Sequence, residues 1–202
     1  MTERLRAAGH DVVAPDLPLD DPQTTYAQRI EPVLGVLGEV DGPLVVVGHS
    51  LAAGYAPLVA GAIPGASLVH LCPAPVGPFA QTRAPMAEYR PGFPFPPNGP
   101  DGNSTWDRET AIAAMYPRLA ADVAERLADR LKPGSAPSDS YPQQGHPPVA
   151  TTFLYARHDE FFEPGWSRWA AREIAGVEPI ELDTGHFAMF EDPDRVVELL
   201  LG

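Results

Sequence analysis

Ser50, Asp159 and His186 are the residues of this sequence whose types and order along the chain could carry out nucleophilic catalysis. A serine hydroxyl is a weak nucleophile that needs a base to take its proton, and the base needs a carboxylate to orient it. Glu160 is an alternative to Asp159 for the carboxylate role, but Asp159 lies nearer to the end of the preceding predicted strand. The sequence therefore predicts a serine nucleophile with a histidine base and an acidic partner.

The residues around Ser50 have the pattern of a nucleophile elbow, a sharp turn between a strand and a helix. The elbow residues are Gly48, His49, Ser50, Leu51 and Ala52. They follow an apolar run at 44–47 and precede a predicted helix that extends to residue 63. The positions two before and two after the serine must be small, because the turn brings their backbones together; Gly48 and Ala52 both qualify, although glycine is commoner at the second position. The same five-residue pattern can also occur in an ordinary strand-to-helix turn without a catalytic serine. His49 either lines a pocket or only packs against its neighbours.

The elements that must position these residues form an alternating pattern of strands and helices. Short apolar runs, typical of strands, lie at 12–14, 44–47, 67–71, 152–156 and 179–182. Helical periodicity or helix-end signals separate them, and this alternation predicts a mostly parallel sheet with helices on both faces. Asp159 follows the fourth run and His186 follows the last, so both should lie at the carboxyl edge of the sheet with Ser50. Each is a weak signal alone, since a loop histidine or aspartate is often a surface or capping residue.

The middle of the chain differs in composition from both ends. Prolines cluster at 73–100 and at 133–148, on either side of a predicted helical stretch that breaks at Pro117. These signals predict a proline-rich, partly helical cap inserted into an α/β core. The expected organisation is 1–72 for the first part of the core with the elbow, 73–150 for the cap, and 151–202 for the rest of the core with the acid and the histidine.

Composition excludes several classes of function. The formal net charge is −13 and Lys132 is the single lysine, so no continuous basic face is expected for nucleic acid or an anionic membrane. The uncharged stretch 42–82 is interrupted by glycines and prolines and cannot form a spanning helix. Cys72 is the only cysteine, and no spacing of histidine and acidic residues resembles a metal site. We expect a cytoplasmic protein without a cofactor or metal.

Three segments of the sequence resemble the alpha/beta-hydrolase family, in particular its small esterase branch that includes plant methyl-ester esterases and hydroxynitrile lyases. The segments are residues 5–18, 45–52 and 183–193. The resemblance covers the chain outside about 73–150 and implies that Ser50 is the nucleophile, Asp159 the acid and His186 the base. It also implies that the Leu51 backbone N–H is one oxyanion donor and that the divergent middle corresponds to the family's cap, which shapes the substrate pocket.

The family pattern includes a strand and a His-Gly loop before the segment with which this sequence begins. That loop supplies the second oxyanion donor, and its strand lies between those expected at 12–14 and 44–47. We expect that Met1 is an internal start, which the in-frame DNA upstream would test. The chain as written should then have an open slot in its sheet and aggregate or form a homo-oligomer. A monodisperse monomer with a high melting temperature would contradict this.

The expected function is hydrolysis of a small, largely uncharged carboxylic ester, or less readily an amide. The acidic surface disfavours anionic substrates. Two alternatives remain open at this point. The chain could be a non-catalytic ligand-binding or inactive member of the fold, because the oxyanion loop is missing, or a lyase of the hydroxynitrile-lyase type, because the fold does not fix the reaction.

Overall fold

The computed structural model describes residues 1–37 and 42–202 and contains one parallel sheet of four strands. The strands are β1 (Val45–His49), β2 (Ser67–Leu71), β3 (Ala150–Ala156) and β4 (Ile180–Leu182), and they lie in the order β1-β2-β3-β4. Val45 pairs with Ser67, Ser67 with Ala150, and Leu154 with Ile180. Four of the five apolar runs are therefore confirmed as strands, and the parallel sheet is the one predicted.

The prediction of a strand at Val12–Ala14 is wrong. These residues are extended chain without strand pairing among the described residues, and Arg6 holds them by donating a hydrogen bond to the Val12 carbonyl at 2.8 Å. A parallel strand needs a neighbouring edge for its N–H and C=O groups, and β1 in the described structure pairs only with β2. A groove of about 580 Å³ lies beside the segment, and Val13 at its rim is 53% exposed.

Eight α-helices accompany the sheet in the described residues. They are α1 (Thr2–Ala7), α2 (Tyr26–Leu37), α3 (Ala56–Ala62), α4 (Arg108–Met115), α5 (Ala121–Ala128), α6 (Pro164–Glu173), α7 (Ala188–Glu191) and α8 (Pro193–Leu201). Helix α2 runs through Pro32 without ending there. The Asp192 side chain caps α8 by accepting from the Arg195 N–H at 3.1 Å.

Both faces of the sheet are covered, because successive residues of a strand point to opposite sides. Phe153 packs in a buried cluster with Trp166 of α6, whereas its neighbour Leu154 packs in a second cluster with Val196 of α8. All four of these side chains are fully buried. This is the predicted α/β architecture, with helices on the two faces of a mostly parallel sheet.

The middle segment, residues 73–150, contains α4, α5 and a short 3₁₀ helix at Gly77–Ala80, and its last residue begins β3; the rest is loop. The helical stretch breaks around Pro117 as predicted, because α4 ends at Met115 and α5 begins at Ala121. The fully buried Arg29 of α2 attaches this segment to the core by donating to the Ser135 and Ala136 carbonyls at 2.6 and 3.0 Å. No helix in the described part of the chain is long and apolar enough to cross a bilayer.

Candidate active site

Ser50 lies directly after β1 in a strained backbone conformation. Its φ of +51° is in the left-handed region, which residues with a side chain rarely adopt. His49 before it is still extended, at φ −93° and ψ 134°, and Ser50 begins a 3₁₀ helix that ends at Gly54. This is the geometry of a strand-to-helix elbow, and it turns the chain sharply at the predicted nucleophile.

Steric contacts explain why the elbow needs small residues. A Cβ atom placed on Gly48 would lie 2.7 Å from the Ala56 Cβ and 3.0 Å from the Ala52 carbonyl oxygen. The strand and the helix therefore touch through these positions, as the sequence pattern predicted. Leu51 is 46% exposed and lies in the first turn of the 3₁₀ helix, where backbone N–H groups have no partner within the helix.

Asp159 and His186 form a buried hydrogen-bonded pair at the same edge of the sheet. Asp159 follows β3 and His186 follows β4, and the two side chains are 3% and 1% exposed. The His186 Nδ1 lies 2.9 Å from Asp159 Oδ2. Asp159 Oδ1 accepts hydrogen bonds from the backbone N–H groups of Phe161 and Phe162 at 2.8 and 3.0 Å. The carboxylate can only accept, so Nδ1 donates and the Nε2 lone pair of His186 is left free to take a proton.

Glu160, the alternative acid, has a different contact. Its Oε2 accepts from the backbone N–H of His186 at 2.8 Å and does not contact the imidazole nitrogens. Burial raises the pKa of the Glu160 carboxyl, and the His186 N–H acts in the opposite direction. The geometry places Asp159 on the ring and Glu160 on the backbone of the same histidine.

His49 connects the elbow to the histidine. Its Nε2 donates to the His186 carbonyl oxygen at 3.0 Å, and the two rings lie 4.8 Å apart. Burial, reinforced by the neighbouring His186, lowers the pKa of His49 to about 3, so its ring is neutral near pH 7. Across residues 1–37 and 42–202 no hydrogen bond joins the Ser50 hydroxyl to the His186 ring. In the absence of substrate such bonds are often long and form only on binding.

Aromatic side chains surround the histidine. The centre of the Phe161 ring lies 4.2 Å from that of the His186 ring. It also lies 4.2 Å from the centre of the Phe93 ring, which belongs to the middle segment. Phe93 lines a surface cavity of about 290 Å³ together with Tyr89, Arg90, Gly92 and Phe95. Phe79 of the same segment is instead fully buried, with its ring against those of His70 and Phe153. The middle segment thus contributes rings both to the core and to the surroundings of the histidine.

Sequence reasoning did not place Cys72 near the site. In the described ranges, Cys72, Asp159 and His186 are the one set of three potential metal ligands, with ligand atoms within 4.8 Å of one another. Burial raises the pKa of the Cys72 thiol well above its usual range, which keeps the sulfur protonated. The Asp159–His186 hydrogen bond already occupies a ligand atom of each partner, so this arrangement does not offer three free ligands. The only signal in the sequence was the position of Cys72 directly after a strand.

Comparison with known proteins identifies the family of this chain. A model of the alpha/beta hydrolase family matches residues 3–199. The chain therefore belongs to the alpha/beta hydrolase family, and the class of enzyme that its fold and family indicate is a hydrolase. No curated protein sequence matches it significantly.

Several solved structures have a similar fold. A polyneuridine aldehyde esterase mutant is 19% identical with a TM-score of 0.73, over 99% of this chain and 90% of that one. A pyrethroid hydrolase from Sphingobium faniae JZ-2 is 19% identical with a TM-score of 0.73, over 99% and 88%. An extracellular alpha/beta-hydrolase from a Paenibacillus species is 16% identical with a TM-score of 0.72, over 99% and 90%. At these identities the likeness establishes the fold.

Proposed function

We propose that this protein hydrolyses small, largely uncharged carboxylic esters with Ser50 as nucleophile, His186 as base and Asp159 as the orienting acid. The observation that carries the proposal is the buried Asp159–His186 hydrogen bond of 2.9 Å. It lies beside the elbow that holds Ser50 at φ +51°, because His49 of the elbow is 3.0 Å from the His186 carbonyl oxygen. The similar structures include proteins described as an esterase and a pyrethroid hydrolase, which supports ester chemistry.

The proposed mechanism follows from the proton positions. Ser50 Oγ attacks the ester carbonyl carbon while its proton moves to His186 Nε2, and the carbonyl oxygen becomes an oxyanion near the Leu51 N–H. The C–O bond to the alcohol then breaks, and the alcohol leaves with the proton from His186. Water attacks the acyl-serine through the same histidine, which releases the acid and restores the Ser50 hydroxyl. Asp159 keeps the proton on Nδ1 throughout.

The surroundings of the site favour an uncharged, apolar substrate. Aromatic rings lie against His186, and apolar walls of this kind are typical of small-molecule pockets. Glu160 and Glu191 lie close to the histidine loop, and the whole chain carries a net charge of −13. An anionic substrate would therefore approach against the field of the protein.

The test is labelling with a fluorophosphonate followed by mass spectrometry, because this probe reacts with activated serines and mimics the tetrahedral intermediate. We expect one adduct on Ser50 in the parent chain, none in Ser50→Ala, and full labelling in the matched control Ser67→Ala, which removes a hydroxyl from the neighbouring strand. Hydrolysis of p-nitrophenyl butyrate should be lost in Ser50→Ala alone.

Other outcomes would select the remaining alternatives. Release of a carbonyl compound from a cyanohydrin without any acylated Ser50 would show a lyase and overturn the ester proposal. A folded parent chain with neither an adduct nor turnover would be a non-catalytic member of the family. Both results would be visible in the same samples.

A further inference from the structure

Gly185, directly before the proposed base, is enclosed by charged side chains from separate parts of the chain. A Cβ atom on Gly185 would lie 2.5 Å from Glu160 Oε1, 2.7 Å from Glu191 Oε1 and 2.7 Å from the Arg118 Cδ. Glu160 follows β3, Glu191 ends α7, and Arg118 belongs to the middle segment between α4 and α5. The loop that carries His186 therefore has no spare volume at this point.

Two successive backbone N–H groups of this loop are held by carboxylates. The Gly185 N–H donates to both oxygens of Glu191, each at 3.0 Å, and the His186 N–H donates to Glu160 Oε2 at 2.8 Å. Hydrogen bonds from a backbone N–H to a charged acceptor are stronger than those between neutral groups. These contacts fix the peptide units on which the orientation of the imidazole depends.

Arg118 supplies positive charge to this arrangement from outside the core. Its Nε donates to Glu191 Oε2 at 2.8 Å, and the Glu191 side chain is only 12% exposed while that of Arg118 is 40% exposed. A largely buried carboxylate without a cation would be costly, and it would hold the Gly185 N–H less firmly. The middle segment is thereby connected to the histidine loop through one arginine and one glutamate.

We propose that Arg118 is a positioning residue: by holding Glu191 on the Gly185 N–H, it sets the orientation of His186 and couples the middle segment to the proposed catalytic base. This inference rests on the proposed function. If Arg118 were only one half of a surface ion pair, its removal would leave kcat and the His186 hydrogen bond unchanged.

The experiment compares Arg118→Gln, Arg118→Lys and the matched control Arg126→Gln. Arg126 lies in α5 of the same segment and pairs with Asp122 at 2.7 Å on the surface. It is not among the residues that enclose Gly185. With p-nitrophenyl butyrate we expect Arg118→Gln to lower kcat about tenfold with KM within about twofold, since a 1 Å misplacement can cost about a hundredfold. Arg118→Lys should recover part of kcat, and Arg126→Gln should match the parent chain. A raised KM with unchanged kcat in Arg118→Gln would indicate substrate binding instead and overturn the proposal.

A second measurement does not depend on activity. The downfield proton resonance of the His186 Nδ1–H···Asp159 hydrogen bond should shift or broaden in Arg118→Gln and in Gly185→Ala, which pushes both carboxylates outward, and stay unchanged in Arg126→Gln. If Ser50 in the parent chain does not react with the fluorophosphonate, the proposed function fails, and this resonance still decides the positioning role. If the parent chain is active and Arg118→Gln equals Arg126→Gln in both kcat and resonance, the positioning role alone is disproved.

Discussion

Asp159→Asn is expected to lower kcat about 10⁴-fold while leaving the fold intact, the loss that asparagine causes at the acid position of a serine triad. The carbonyl oxygen of the introduced asparagine can still accept from the Phe161 and Phe162 N–H groups, which now bind Asp159 Oδ1. The new amide NH₂ then faces His186 Nδ1 and donates to it. The imidazole proton moves to Nε2, where no lone pair remains to take the proton of Ser50.

The measurements are kcat on p-nitrophenyl butyrate, the rate of fluorophosphonate labelling and the melting temperature. Asp183→Asn is a matched control, because Asp183 also pairs with a histidine, His158, at 2.9 Å, but on the surface with 82% of its side chain exposed. That variant should change kcat less than about twofold, as expected for an exposed pair. Glu160→Gln keeps an acceptor for the His186 N–H and should lower kcat far less than Asp159→Asn. If instead Glu160→Gln caused the larger loss, Glu160 would be the acid.

Gly48→Ala is expected to have the largest effect on stability and to inactivate the enzyme at the same time. The new Cβ would lie 3.0 Å from the carbonyl oxygen of Ala52 in the elbow and 2.7 Å from the Cβ of Ala56, the first residue of α3. Overpacking of this kind costs about 1–3 kcal/mol, which in a chain of this length lowers the melting temperature by several degrees. Relief of the clash moves the start of the 3₁₀ helix and with it Ser50.

A double-mutant cycle makes this expectation specific. Ala56→Gly removes the nearest clashing atom, so Gly48→Ala combined with Ala56→Gly should be more stable than the sum of the two single changes predicts. Gly35→Ala is the control, because a Cβ on Gly35 in α2 would meet nothing within 4 Å and alanine is the better helix residue. Its melting temperature should stay equal or rise. Strictly additive changes at Gly48 and Ala56 would show that the elbow is not the site of the strain.

The sequence predicted those parts of the molecule that depend on local pattern. The strands β1 to β4, the turn at Ser50 and the break at Pro117 each follow from periodicity or from a residue with a restricted backbone. The error at Val12–Ala14 has a different origin: an apolar triplet gives strand propensity, but pairing needs a neighbouring edge that the local sequence cannot reveal. Tertiary context decides such short runs.

The candidate site was predictable to the same degree. Serine, aspartate and histidine each follow a predicted parallel strand. Because the carboxyl ends of parallel strands lie at the same edge of the sheet, this order placed the proposed triad at that edge. Arg118 and Cys72 could not be placed, because no periodic signal defines how the middle segment folds over the core or where the residue after β2 points. Glu191 was part of a matched segment, but its contact with the Gly185 N–H depends on the turn between β4 and α7.

The pairing of β2 determines when the site can be assembled during folding. β1, the elbow, α3 and β2 are consecutive in the chain, whereas the other neighbour of β2 begins at Ala150, after the whole middle segment. Bringing β3 to β2 requires closing a long loop, and the entropy lost in doing so is not offset until the strand contacts form. Local units therefore form early and distant strand pairings form late. In refolding experiments, reactivity of Ser50 toward a fluorophosphonate should therefore appear after the first burial of tryptophan and tyrosine. Ser50 in the early elbow should not react with the probe until β3 and β4, which Asp159 and His186 follow, have paired with the sheet.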